Sequence, residues 1–463
     1  MKKNTNKNVG FGNYVRSEAL PSALPKGQNN PQKCPYGLFA EQLSGTAFTK
    51  TPRHANLRVW LYRIRPSVQH EPFKSPDRNK FMPYYIGNVG TKGKFHPDQM
   101  RWMPLEMDSS ESTNFIQGLR TVGGNGEPGS TAPGFAIHLY ACNQSMGDVA
   151  FTNADGDFLI VPQVGTLKVT TEFGVLMVKP TEICVVMRGM RFSVDVQGFS
   201  RGYVCELMQR HFTLPELGPI GSNGLANPQD FEMPCARYED REEIEYEVVH
   251  KLGGEIFVAK QSFSPFNVVA WQGNYVPYKY DLKKFCCMNS VTYDHPDPSI
   301  YTVLTCQGDE PGVAIVDFVI FPPRWMVMEH SFRPPWFHRN CMSEYMGMIW
   351  GEYDAKGGDK KGSGFVPGGS SLHSPMSSHG PDANATIKAT DLKKLDPHFF
   401  DKGLAFMFET SATMRLTNFA LHGSHRDVEY QKCWSKIPRR FNPSDVPKSE
   451  ASDIMAWRKE EKR

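Results

Sequence analysis

Two stretches of the 463-residue chain carry side chains able to hold a metal ion. "RPPWFHRNCMSEYMG" (333–347) sets His338 and Glu344 six residues apart, and "PGGSSLHSPMSSHGPD" (367–382) repeats that spacing with His373 and His379. Two imidazoles and one carboxylate on one face of a metal leave three positions open, which suits non-haem ferrous iron and oxygen chemistry. The same donor set with an open position also serves catalytic zinc. Residue types alone therefore leave an oxygenase and a hydrolase both standing, while the lack of paired cysteine ligands argues against structural zinc.

Spacing restricts how such a site can form. In a straight strand six residues return the side chain to the same face but carry it about 20 Å along the chain. A helix advances about 9 Å over the same interval and turns the two side chains apart. Metal–ligand bonds are about 2 Å long, so only a reversal through Arg339–Ser343 can bring His338 to Glu344. Asn340 tolerates left-handed backbone and suits that turn. The expectation is that His338 ends one strand and Glu344 opens the next, "EYMGMIWGEY". The glycines before His373 let its loop fold back closely. Spacing does not choose between His373 and His379 as the third ligand, and each also has an ordinary reading as a hydrogen-bonded loop histidine.

The elements that must carry these residues read as strands. Aromatics make up 12% of the chain, Gly 40 residues and Pro 35, and no segment keeps a helical period, so many short strands joined by turns are expected. The run Asp157–Val196 is dense in Val, Ile, Leu and Phe and is broken at Gly165, Gly174, Pro180 and Gly189. That rhythm is of an antiparallel jelly roll of the cupin type, and because it holds no histidine it reads as a ligand-free barrel. A second β region covers 299–306, 312–325 and 403–416. The predicted fold is mainly β: cupin-type jelly-roll barrels in a large N-terminal β domain (10–285) and a smaller C-terminal metal-binding β domain (286–440). Residues 1–9 read as a disordered basic tail, 261–285 as an aromatic connector, 354–369 as a mobile surface loop and 441–463 as a charged tail.

Several function classes are excluded. A net charge of +3 is too mild for nucleic acid or an anionic membrane as partner. No run approaches the roughly 18 apolar residues that cross a bilayer, and the basic N-terminus leads into no apolar signal core. Ten scattered cysteines without a CxxC fit reduced thiols in the cytoplasm better than a disulfide scaffold. "GPIGSNGLANPQDF" (218–231) lacks the lysine and helix of a phosphate-binding loop.

In the blocks "GFGN", "GQNNPQ", "FAEQLSG", "GPIGSNGLANPQDF", "SPFNVVAW", "DHPDPSIYTVLT", "FVIFPPRW", "HRNCMSEYMG", "PGGSSLHSPMSSHGPD" and "AFMFE" the chain resembles the homogentisate 1,2-dioxygenase family. The likeness runs from residue 10 to about 434. It departs in the basic first residues, the C-terminal tail and a Lys/Gly insertion near 357–363, which leaves that loop's path open. The resemblance implies Fe(II) held by His338, Glu344 and His379, and His295 as general base. It also implies that Tyr353 and His379 meet the substrate and that His373 stands behind the ligands. The implied reaction is ring cleavage of homogentisate with O2 to 4-maleylacetoacetate, in phenylalanine and tyrosine catabolism. The implied assembly is a homo-hexamer, a dimer of trimers, without nucleic-acid or membrane partners. A non-catalytic cupin-like binding or storage protein is the rival from outside enzymology; it would bind ligand without consuming oxygen.

Overall fold

The run 157–196 forms strands Gly156–Val164, Leu167–Thr171, Gly174–Val178, Glu182–Val186 and Arg191–Asp195. Gly165 (φ +80°) and Gly189 (φ +81°) sit at its breaks, in backbone that a Cβ disfavours. These strands divide between two sheets of a computed structural model. It describes residues 8–26, 33–49, 51–108, 110–216, 225–287, 298–308, 310, 312–327, 336–353, 355–356, 364–394 and 396–444.

The larger sheet has nine strands. Its centre is Glu182–Val186, Gly156–Val164, Ser200–Met208 and Gly134–Cys142, side by side and antiparallel. A six-stranded sheet covers it, with Leu167–Thr171, Arg191–Asp195, Val149–Asn153 and Glu242–Leu252 in sequence. Phe158 of the first sheet packs on Phe151 of the second at 5.7 Å, and Phe192 meets Phe151 edge-on at 5.6 Å. Each such fully buried ring stabilises the fold by roughly 1.5–3 kcal/mol. This is the jelly-roll double sheet expected from the strand rhythm.

Its interior also holds charge. Lys251 sits between the carboxylates of Asp155 and Glu206, with Nζ 2.6 Å from Glu206 Oε1. Glu206 further accepts from Asn153 (2.8 Å), Tyr85 (3.2 Å) and His138 (3.3 Å). Thr121 meets the other ring nitrogen of His138 at 3.0 Å. All of these groups are buried, and none of Lys251, Asp155, Glu206 and His138 lacks a partner.

A third sheet carries the candidate site. Its strands run in the order Thr302–Gln307, Ala314–Phe321, Gly403–Thr410, Ser343–Gly351, Ser370–His373 and Met100–Trp102, all antiparallel. It docks on the nine-stranded sheet through Tyr203, whose ring meets Phe406 at 4.8 Å and whose hydroxyl donates to the Gly369 carbonyl at 2.8 Å. At Gly347 a Cβ would lie 2.3 Å from the Phe406 ring, so this close approach needs glycine.

Four features differ from the sequence reading. Residues 261–285 are no connector: Val268–Gly273 and Tyr278–Asp281 are strands built into two sheets, because their aromatics Trp271, Tyr275, Tyr278 and Tyr280 are core side chains. Asn8–Val9, placed in the tail, pair antiparallel with Phe231–Met233. The short strand Met100–Trp102 crosses from the N-terminal half to edge the third sheet, and Arg415–Leu416 crosses back to edge the nine-stranded one. The described flanks of 354–369 are not a surface loop; Lys356 and Gly368–Gly369 are packed inward, with Gly368 (φ +86°) tight against the Arg201 guanidinium. Among the described residues no helix is long and apolar enough to cross a membrane.

Candidate metal centre

Glu344 is the second residue of strand Ser343–Gly351, directly opposite His373 on one neighbour and Glu409 on the other. His338 does not end a regular strand. It forms a single antiparallel bridge with His379, N–H to carbonyl in both directions at 2.9 and 3.1 Å. The reversal between His338 and Glu344 is built by the Asn340 side chain rather than by left-handed backbone. Its Oδ1 accepts from the Met342 amide (3.1 Å), and its Nδ2 donates to Glu344 Oε1 (2.9 Å) and Glu409 Oε1 (3.1 Å). Asparagine closes a turn through its own side chain here.

The reversal brings one donor atom each from His338, Glu344 and His379 within 4.8 Å of one another. His338 Nε2 lies 3.6 Å from Glu344 Oε1, and His379 Nε2 lies 2.9 Å from Glu344 Oε2. His379 Nδ1 donates to the Ser377 carbonyl at 2.8 Å, so its Nε2 carries the lone pair. That buried Nε2, like the buried Nδ1 of His373, has no hydrogen-bond partner: each is close to the carboxylate but not in hydrogen-bonding geometry. Two lone-pair atoms facing one another without a shared proton are reconciled by a cation between them, so this donor set fits a divalent metal.

His373 is close to the same carboxylate, with Nδ1 3.4 Å from Glu344 Oε2, and its ring stacks on His379 at 3.9 Å. Its other nitrogen is occupied: Lys356 Nζ stands 3.1 Å and Tyr430 Oη 3.0 Å from Nε2. An ammonium only donates, so Nε2 holds the lone pair and the proton sits on Nδ1, facing Glu344. In that tautomer His373 has no free lone pair for a metal. Burial, then the Lys356 charge, holds His373 well below the usual imidazole range. Burial also pulls Lys356 down to about 8. Burial pushes the Glu344 carboxyl up, but the three imidazoles around it reverse this and hold it well below the carboxylate range.

The chain matches two family models end to end: Homogentisate 1,2-dioxygenase N-terminal over residues 6–282 and Homogentisate 1,2-dioxygenase C-terminal over 283–441. The chain belongs to the homogentisate 1,2-dioxygenase family. It is 53% identical to the Homo sapiens homogentisate 1,2-dioxygenase over 441 residues, 94% of this chain and 96% of the relative. The Arabidopsis thaliana enzyme is 52% identical over 95% of this chain and 94% of its own, and the Dictyostelium discoideum enzyme 53% over 92% and 96%. Among solved structures, a cupin 2 conserved barrel domain protein from Leptotrichia buccalis aligns with 68% of this chain and 92% of its own. Its identity is 8% and its TM-score 0.25, a likeness that adds nothing to the strand topology.

Within this homogentisate 1,2-dioxygenase framework the metal-site cluster opens on a cavity of about 540 Å³ whose walls include Tyr301, Phe321, Arg324, Trp336, Tyr353 and Lys356. Tyr353 lines that cavity, its ring between Phe321 (6.3 Å) and Phe365 (5.6 Å). His295 lies outside the described residues. Sequence reasoning missed Lys356, Tyr430 and Arg324. A lysine in a Lys/Gly-rich stretch carries no mark of burial, and Tyr430 reaches the site only through packing of the C-terminal segment.

Proposed function

We propose that this dioxygenase, an oxidoreductase, opens the ring of homogentisate with O2 to give 4-maleylacetoacetate at Fe(II) held by His338, Glu344 and His379. The observation that carries the reading is the convergence of those three donors on a cavity of substrate size, in a chain of this family. One carboxylate and two imidazoles leave three positions for substrate and oxygen, more than a zinc hydrolase site leaves. A ferrous ion there supplies the redox chemistry that lets dioxygen react with an aromatic ring.

The chain's own groups do the rest. The imidazoles around Glu344 favour its ionised form, the form that holds a cation. His373, neutral and with its proton on Nδ1, keeps the Glu344 carboxylate oriented, as outer hydrogen bonds do for metal-bound carboxylates. Tyr353 steadies the substrate carboxylate, and His379 borders the bound ring. His295 is the base that takes the phenolic proton, a task suited to an imidazole of ordinary pKa near 6.5. The cavity wall of Phe321, Met326, Met346 and Tyr301 excludes water and holds the ring in attack position. The assembly is a homo-hexamer and the compartment the cytoplasm.

Oxygen uptake by anaerobically iron-loaded protein on adding homogentisate tests this, together with the absorbance of maleylacetoacetate. Stoichiometric uptake with product is expected. Ligand binding without uptake would favour the storage-protein reading, and uptake-free hydrolytic activity with zinc would favour the hydrolase.

A further inference from the structure

Three cations line the cavity besides its histidines, and they differ in what they are free to do. Arg339 is exposed at its rim. Lys356 directs its ammonium to His373. Arg324, at the start of strand Arg324–Val327, is only 5% exposed. Its Nη1 donates to the Pro322 carbonyl at 3.0 Å, and its guanidinium lies 5.6 Å from the Tyr301 ring and 5.5 Å from the Phe321 ring. No carboxylate among the described residues forms an ion pair with it.

A buried guanidinium without a counter-charge is costly, and the other buried arginine among the described residues has one. Fully buried Arg63 is paired with Glu41 and Glu172 at 2.8 and 2.9 Å, and its Nε and Nη2 are bonded to Asn267 and Pro265. The Arg324 guanidinium also hydrogen-bonds the Tyr301 side chain, but among the described residues no carboxylate takes either edge of its planar fork, and Arg324 lines the cavity. Such a fork matches a carboxylate with two parallel hydrogen bonds. Phe321 is the shared neighbour of Arg324 and Tyr353, and all three line the one cavity.

We infer that Arg324 is the specificity-determining residue that recognises the acetate arm of the substrate. It thereby restricts the site to dihydroxyarenes carrying an anionic side arm. This deepens the proposed reaction and rests on it. The arm is remote from the bond that breaks, so losing its anchor weakens ground state and transition state alike and appears in KM more than in kcat.

The test compares homogentisate with its neutral primary amide, by oxygen uptake, in the iron-loaded parent, Arg324→Met and Arg324→Lys. The parent is expected to prefer the acid in kcat/KM. In Arg324→Met, KM for the acid should rise on the order of 100-fold, the usual cost of removing one partner of a buried charge pair, while the preference collapses toward parity. Arg324→Lys keeps the charge without the fork and should fall between. If Arg324→Met does not fold, the lysine variant decides: a reduced preference supports the inference. An acid-to-amide ratio unchanged from the parent in either folded variant overturns it and leaves the reaction standing. No uptake by the parent overturns the reaction and this inference together.

Discussion

The N-terminal barrel and the C-terminal sheet each put a histidine and a glutamate in the same kind of place and finish them differently. In the N-terminal barrel His138 and Glu206 sit on adjacent strands of the core, and the chain fills the space between carboxylates with its own cation, Lys251. In the C-terminal sheet Glu344 faces three imidazoles, and His379 Nε2 and His373 Nδ1 beside it are both left without a hydrogen bond. The first arrangement is closed and complete without a ligand; the second is complete only with one. A buried His/Glu pair therefore says little about function by itself. What matters is whether the chain spends its own donors on it.

Removing the lysine from each side sharpens that contrast. Lys251→Met should cost the most: it strands two buried carboxylates, and breaking a buried charge pair costs about 3–5 kcal/mol. The electrostatics of Glu206 run in the same direction. Burial pushes Glu206 up, but Lys251 and then His138 reverse this and bring it from the usual 4.5 to about 2, which corresponds to about 3 kcal/mol. Because the folded value is the lower one, this contribution is present above about pH 4.5 and fades as pH falls toward 2. Urea unfolding at neutral pH measures the loss, and metal content per folded chain should not change. A Lys251→Met protein as stable as the parent would mean that the N-terminal charges are not closed on one another.

Lys356→Met should behave in the opposite way. Among the described residues no carboxylate bonds its ammonium, which is itself pulled down to about 8 by burial, so an apolar replacement should leave stability within about 1 kcal/mol. Metal affinity should instead fall about 10- to 100-fold, the usual effect of losing an outer-sphere partner, as read by competition with a chromophoric chelator. The residual affinity reflects Tyr430, which still reaches His373 Nε2. Unchanged affinity would mean that His373 is oriented without Lys356.

The sequence made part of this legible. Six residues between His338 and Glu344 demand a reversal, because neither strand nor helix can join them, and the reversal is there. Its means were not readable: Asn340 was chosen as a residue tolerant of left-handed backbone, whereas it works by hydrogen-bonding Glu344 and Glu409. The jelly roll was readable from glycine-punctuated β-branched runs. The strand exchange of Met100–Trp102 was not, since three residues carry no period and pair across more than 260 positions with Ser370–Leu372. The choice between His373 and His379 was equally hidden. They lie six residues apart, one ending strand Ser370–His373 and one beyond it, and what separates them is Lys356 and Tyr430 on the far side of one ring.

That separation gives the most direct measurement: the iron content and affinity of anaerobically loaded parent, His338→Ala, His379→Ala and His373→Ala. One ferrous ion per chain is expected in the parent, none held tightly in the first two variants, and a weakened but retained ion in His373→Ala. An ion kept by His379→Ala and lost from His373→Ala would contradict the assignment of the third donor and, with it, the open centre on which the reaction depends.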